Sequence, residues 1–457
     1  MKIKIILLTI VSLFAAKSCE DFINQQPISD VSVESFYTND NEMEVAMIGA
    51  YARLGDVYQR EFALTEMRSD NATSVENEGD WQEMDELDVT PTNSFVLEYW
   101  DANYIAIGAA NTVIEYLDVV EDPALKTQLH GEALFLRSLC HFNLTRLYKD
   151  VMYVDHVVLY DDAPDYAQST ESAMYASIAI DLTDAIEYLP IKGDIKPGRA
   201  TKGAAQALLA KLHLTTGNYA AAETLLSGLM GGSYLLEGDF YDVFYNEQND
   251  EIIFAVEYLN DIDGTSQDFS REFTRSGSAS GVNTPTADLV EAWGATDSTF
   301  EAGGDDPERL NVSVVYDALD IISVGKFVSN SSEDDLSGND WIVLRYADVL
   351  LMYAEAILAD GASSNDAGAV AAYTEVLARA GHDVSAITSF TKDELLLQRR
   401  FEFAFEDQRW FDLERFGALQ STMDAYMGTP VDPAMFVLPI PDREIKISDV
   451  LDQNDGY

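Results

Sequence analysis

Cysteine is almost missing from this chain. Of 457 residues only Cys19 and Cys140 carry a thiol, too few for a disulfide framework. Basic residues are scarce as well: 28 Lys and Arg stand against 80 Asp and Glu, a net charge of −52. That excludes a nucleic-acid partner, because phosphate binding needs clustered cations. The five histidines, His130, His141, His156, His213 and His382, have no metal-ligand spacing, and no H-E-x-x-H occurs. G-x-S-x-G, the P-loop and G-x-G-x-x-G are absent, so neither a catalytic nor a cofactor motif stands out. Among 80 carboxylates, pairing along the sequence says nothing about glycoside hydrolysis.

Long apolar runs are confined to the start. Lys2 and Lys4 precede the run 5–16, which is short for a bilayer span, and Lys17, Ser18 and Cys19 follow. Residues 1–18 therefore read as a lipoprotein signal that leaves Cys19 as an acylated N-terminus. An ordinary secretory signal cleaved nearby is the alternative. With Cys19 acylated no disulfide remains, and Cys140, inside an apolar helical pattern, reads as a buried small side chain. Hydrophobic residues make up 47% of the chain, enough for a large core.

What is present is helical periodicity. Asn39 or Asp40 can cap a first helix. The segments 95–120 and 123–150 form long apolar-striped helices, and 171–189 a third that Pro190 stops. Within 198–230, Gly217-Asn218-Tyr219 interrupts two alanine-rich helices, which is how a tetratricopeptide-like hairpin is built. The stretches 345–360 and 366–381 make another. The expected fold is mostly α: four degenerate tetratricopeptide-like helical hairpins with inserted loops and short strands. Residues 19–457 form a single domain, its scaffold at about 40–60, 95–230 and 341–420. Two segments of different texture, 60–94 and 234–340, lie outside the scaffold, and loops of such length are usually functional.

The stretch 394–417, ELLLQRRFEFAFEDQRWFDLERFG, reads as one helix buried from two sides. Arg399–Glu402, Arg409–Asp412 and Asp412–Arg415 are spaced to pair within it. It resembles the C-terminal hallmark of the SusD/RagB family of Bacteroidetes surface lipoproteins. "GEALFLRSLCHFNLTRLY", "TPTADLVEAW", "GKF" and the ending "LPIPDREIKISDVLDQNDGY" are similar to further landmarks of that family, in the correct order. Glu20 and Asp21 after Cys19 resemble its surface-export tag.

The resemblance implies a lipid-anchored, cell-surface, outer-membrane protein that binds oligosaccharides without altering them. It implies delivery to a SusC-like TonB-dependent transporter, with the helical scaffold toward the transporter and the inserted segments toward the ligand. Peptide binding, as in RagB-like members, is the alternative within the binding class, and a secreted glycoside hydrolase the alternative outside it. Sugar rings stack on exposed aromatics, and nearby polar groups take their hydroxyls. Trp100 and Trp410 lie on helical stripes and belong to the core. Trp81, in the acidic loop outside any periodic run, is the best ligand contact, with Trp341, Trp293 and the loop residues Arg68, Asp70 and Asn71 as further candidates. The oxygen-rich stretches 301–310 and 330–340 lack EF-hand spacing and read as solvated acidic loops rather than Ca²⁺ sites.

Overall fold

A computed structural model describes residues 36–457, except 77, 160–165, 275–280, 295–305, 317–321, 330 and 334. The signal segment and Cys19 lie outside the described residues. Eight helices carry the scaffold: α1 (Asp40–Tyr58), α2 (Ser94–Glu115), α3 (Pro123–Tyr148), α4 (Glu171–Tyr188), α5 (Lys202–Thr215), α6 (Tyr219–Met230), α7 (Tyr346–Leu358) and α8 (Ala367–Arg379). Each packs on the next, α1 on α2 through to α7 on α8, so four hairpins stack into one superhelix. The fold class is as the sequence implies.

Local chemistry sets the ends. The Asn39 side chain accepts from the Glu42 amide at the start of α1. Thr170, Thr201 and Asp366 cap α4, α5 and α8 in the same way, and Pro123 opens α3, where its missing N–H costs nothing. Gly217, at φ +70°, makes the turn between α5 and α6, a conformation that side chains resist. Ala204, Ala205, Ala207, Ala210 and Ala222 are fully buried, which lets the α5–α6 pair approach closely.

Two insertions interrupt this frame. Residues 59–93 open the first hairpin, and residues 231–345 separate the third from the fourth. They hold short strands: β1 (Ala72–Ser74), β2 (Ile252–Val256), β3 (Asn283–Pro285), β4 (Val314–Tyr316), β5 (Ile322–Val324) and β6 (Trp341–Arg345). β1 pairs antiparallel with β3, Thr73 opposite Thr284, which ties one insertion to the other. β2 pairs with β6, and β4 with β5.

The stretch 394–417 is not one helix. α9 (Lys392–Glu402), opened by a Thr391/Glu394 capping box, stops, and α10 (Arg409–Arg415) restarts. Between them Phe405 and Asp407 hold positive φ, +66° and +57°. Tertiary ion pairs impose the break. Glu402 faces Arg345, Arg379 and Arg309 rather than Arg399, and Glu406 takes Arg345 at 2.7 Å and Lys326 at 2.6 Å. Arg399 pairs instead with Asp348 and Asp412, and Arg409 with Asp70. Only Asp412–Arg415 forms as the spacing suggests, at 2.8 Å. Cys140 is buried, and its surroundings push the thiol pKa up.

Candidate functional site

The two insertions meet over α1 and α2, and an open cleft of about 590 Å³ lies at their junction. Its floor is an ion pair that joins them. Arg60, just past the end of α1, donates from both terminal nitrogens to the two Asp268 carboxylate oxygens at 2.7 Å each. Burial acts to discharge Arg60, but Asp268, with Glu272 and Glu98 behind it, more than offsets this and holds the guanidinium above its ordinary pKa. Glu98 stands on the rim. Partial desolvation raises its carboxyl, Arg60 opposes that, and Asp80 and Asp268 add to the rise. Arg271, Asp101 and the exposed Ile105 complete the walls. Both faces of the Arg60–Asp268 pair are partly open, so guanidinium N–H donors and carboxylate acceptors lie side by side.

Trp81 does not wall the cleft itself; it packs on Phe95 at the start of α2 and on Phe62, two residues past Arg60. It belongs to a short helix, Gly79–Asp85. The Asp80 carboxylate accepts from the Ser94 hydroxyl (2.5 Å), Asn93 donates to the Glu83 carboxylate (3.0 Å), and the Thr73 hydroxyl donates to Asp85 (3.0 Å). These bonds fix the helix against the start of α2. The Trp81 ring packs on Phe95 (centroids 4.3 Å apart) and Phe62 (5.8 Å), and Phe62 in turn meets Phe273 of the second insertion edge-on. The ring stays half-buried, held by aromatic packing on the protein side.

The other candidates are interior residues, which corrects the sequence reading of them as ligand contacts. Trp293 is fully buried and stacked on Phe401 at 5.3 Å. Trp341 is 2% exposed between Phe327 and Phe269. Arg68 is fully buried over the Trp410 ring, 4.3 Å from its centroid, and donates to the Met435 carbonyl at 2.8 Å. Asp70 receives both Arg409 donors at 2.7 and 2.8 Å, and Asn71 bridges the Arg400 guanidinium (2.8 Å) and Glu66 (2.8 Å). These three polar residues dock the first insertion onto α9 and α10. Trp100 and Trp410 are core, as expected. His141 is also interior: burial lowers its pKa to about 3, and its Nε2 accepts from the Val154 amide.

Sequence reasoning missed Arg60, Glu98, Asp268 and Arg271. For Arg60, Asp268 and Arg271 the one available signal was their position, inside or at the edge of the two irregular segments; Glu98, on α2, had none. Of the acidic stretches, 301–305, 330 and 334 lie outside the described residues. Asp306 and Asp340 are buried rather than solvated: Asp306 caps the helix Pro307–Ser313 and pairs with Arg309, and burial raises Asp340 to about 8. Among the described residues no group of three or more His, Cys, Asp or Glu is arranged to hold a metal ion. No helix among them is long and apolar enough to cross a membrane.

Known proteins share this architecture. Residues 21–214 match a family model described as "Starch-binding associating with outer membrane", and residues 320–457 match the model of the SusD family. A SusD-like protein, P2, of Formosa agariphila is 26% identical, with 98% of each chain covered. Among solved structures, a "Laminarin binding SusD-like protein" is 23% identical, covers 92% of this chain and all of its own, and superposes with a TM-score of 0.79. Surface glycan-binding protein A of Bacteroides thetaiotaomicron, solved with laminarihexaose, is 20% identical, covers 91% of this chain and all of its own, and has a TM-score of 0.75.

Proposed function

The chain belongs to the SusD/RagB family, and from that premise we propose that it is a glycan-binding protein of the cell surface, with the Arg60 cleft and Trp81 as its binding site. One observation carries the reading. The two insertions join at a cleft walled by a paired guanidinium and carboxylate, and the partly buried Trp81 of the first insertion packs on Phe62, which meets Phe273 of the second. A sugar ring offers an apolar C–H face to the indole, and its hydroxyls both donate and accept. The Arg60–Asp268 pair supplies both partners without a net charge.

Trp81, held from behind by Phe62 and Phe95, loses little freedom when a ring stacks on it, so the platform is preorganised. The cleft binds and orients, and the ligand leaves unchanged. Cys19 carries the lipid anchor in this reading. The bound chain is passed to a SusC-like TonB-dependent barrel in the outer membrane, against which the helical scaffold rests.

Affinity electrophoresis of the purified protein through gels containing laminarin, starch, xylan, mannan or galactan tests binding. Retardation by at least one polysaccharide, lost in Arg60→Ala, is the expected result. Release of reducing ends by the purified protein, abolished by a single Asp or Glu substitution, would replace the binding reading with an enzyme. Co-purification with the barrel encoded beside its gene tests the transporter step.

A further inference from the structure

The Arg60 cleft does not end at α1. Asp56, Gln59, Gly264 and Ser266, which wall it, also wall a second cavity of about 240 Å³ that follows the outward face of α1 past Ile48 and Ala52. From Ile48 to Gln59 this face is about 16 Å long at the helical rise of 1.5 Å per residue. The second cavity shares Gly198, Phe254, Ala255 and Glu257 with a third, of about 340 Å³, which reaches Lys192 and Lys196.

Of the four residues that line both the second cavity and the third, only Glu257 is exposed. Glu257 lies across Gly198 and accepts from the Gln248 amide at 2.9 Å. Gly198 sits at φ +80°, and a Cβ there would be 2.6 Å from the Glu257 carboxylate. The crossing therefore depends on the glycine, and it can move with a single rotamer change of Glu257.

The lining is apolar between spaced polar groups. Ile48, Ile195, Pro197 and Phe254 give aliphatic and aromatic surface. Each cation along the way has an acid beside it: Arg60 has Asp268, Lys192 has Asp250 at 3.0 Å, and Lys196 has Glu44 at 3.7 Å. The cations are compensated locally and further carboxylates, Asp56, Glu98, Asp263 and Glu257 among them, line the path, so it offers donors and acceptors with no positive field to draw in a polyanion.

We propose that the three cavities form one groove for a linear, neutral polysaccharide chain, with the Arg60 cleft holding one end and successive sugar units lying along α1 toward Lys192. This rests on the Arg60 cleft being a glycan site. It adds that affinity is built up over chain length and that α1, a scaffold helix, contributes part of the binding surface.

The test is calorimetric titration with a size ladder of oligosaccharides cut from whichever neutral polysaccharide of the panel retards the protein. Wild-type protein and Ala52→Trp are compared. Ala52 is exposed on α1, so the indole plugs the middle of the groove without entering the core. Ile48→Trp, also at an exposed position, is the second plug, and an unchanged melting temperature certifies the fold of each. In the wild type, affinity should rise at least about tenfold from the shortest oligomer that binds to one several units longer. The plugged variants should keep the short-oligomer affinity and lose the rise.

A wild type that binds all lengths equally, or a plugged variant that keeps the length dependence, overturns the groove and leaves the Arg60 cleft standing. Failure of every polysaccharide to bind overturns both. An extended decapeptide that displaces the long oligomer from the groove and binds more tightly than it does overturns the glycan assignment in favour of peptide.

Discussion

Asp70→Ala should destabilise the protein by about 3–5 kcal/mol. The Asp70 side chain is 5% exposed and receives Arg409 through two bonds of 2.7 and 2.8 Å and Arg400 at 3.0 Å. Burial pushes its carboxyl up in pKa, and the two arginines more than reverse that and hold it below the usual carboxylate value. Arg400 keeps Asn71 and Asp288 as partners after the truncation. Arg409 makes no other ion pair among the described residues, so its guanidinium would be left charged, buried and unmatched. Removing one member of a buried pair has a cost of about that size because the survivor is not resolvated.

Urea unfolding followed by far-UV circular dichroism measures the loss. Adding Arg409→Ala to Asp70→Ala should recover part of it, with a coupling of about 1–3 kcal/mol. The sign with pH follows from the lowered folded-state pKa. The contribution is complete above the unfolded pKa near 3.9 and fades as pH falls through the folded one, so wild type and variant converge in acid. A variant within about 1 kcal/mol of wild type at neutral pH would refute the reasoning, since that is the range of exposed pairs.

Glu66 titrates the other way. Burial raises it to about 7, against hydrogen bonds from Asn71 and the Phe405 amide. The folded state holds a proton that the unfolded state has lost, so stability should fall by about 3 kcal/mol between roughly pH 4.5 and 7 and then level off. Glu66→Gln should flatten that slope in thermal melts taken from pH 5 to 8. Gly325→Ala would set a Cβ 2.4 Å from the Val312 carbonyl, and should cost about 1–3 kcal/mol in the same melts. An unchanged midpoint would mean that the 313–325 segment shifts freely.

Much of the frame was legible because caps, prolines and apolar periods are local. Asn39 caps α1 and Pro190 follows the end of α4 as the sequence suggests, and Gly217 marks the α5–α6 turn. The break between α9 and α10 was not legible. Its residues keep a helical period, and the positive φ of Phe405 and Asp407 is imposed from far along the chain. The Phe405 amide is held by Glu66, and Glu406 by Arg345 and Lys326. The same distance hid the site. Arg68, Asp70 and Asn71 look like free loop polar groups until arginines some 330 residues later close over Asp70 and Asn71. Arg60 looks unremarkable until Asp268, 208 residues on, completes its pair. Trp81 could be singled out because an aromatic outside a periodic run has no core stripe to join.

The central claim is tested most directly by calorimetric titration of Trp81→Ala beside wild type, against the polysaccharide that retards the wild type. The indole packs on Phe62 and Phe95 and remains only partly buried, so part of it is accessible to a ligand. Binding several-fold weaker in a variant that remains folded is the predicted result. Equal affinity in the two proteins would remove Trp81 from the site and contradict the placement of the glycan at the junction of the two insertions.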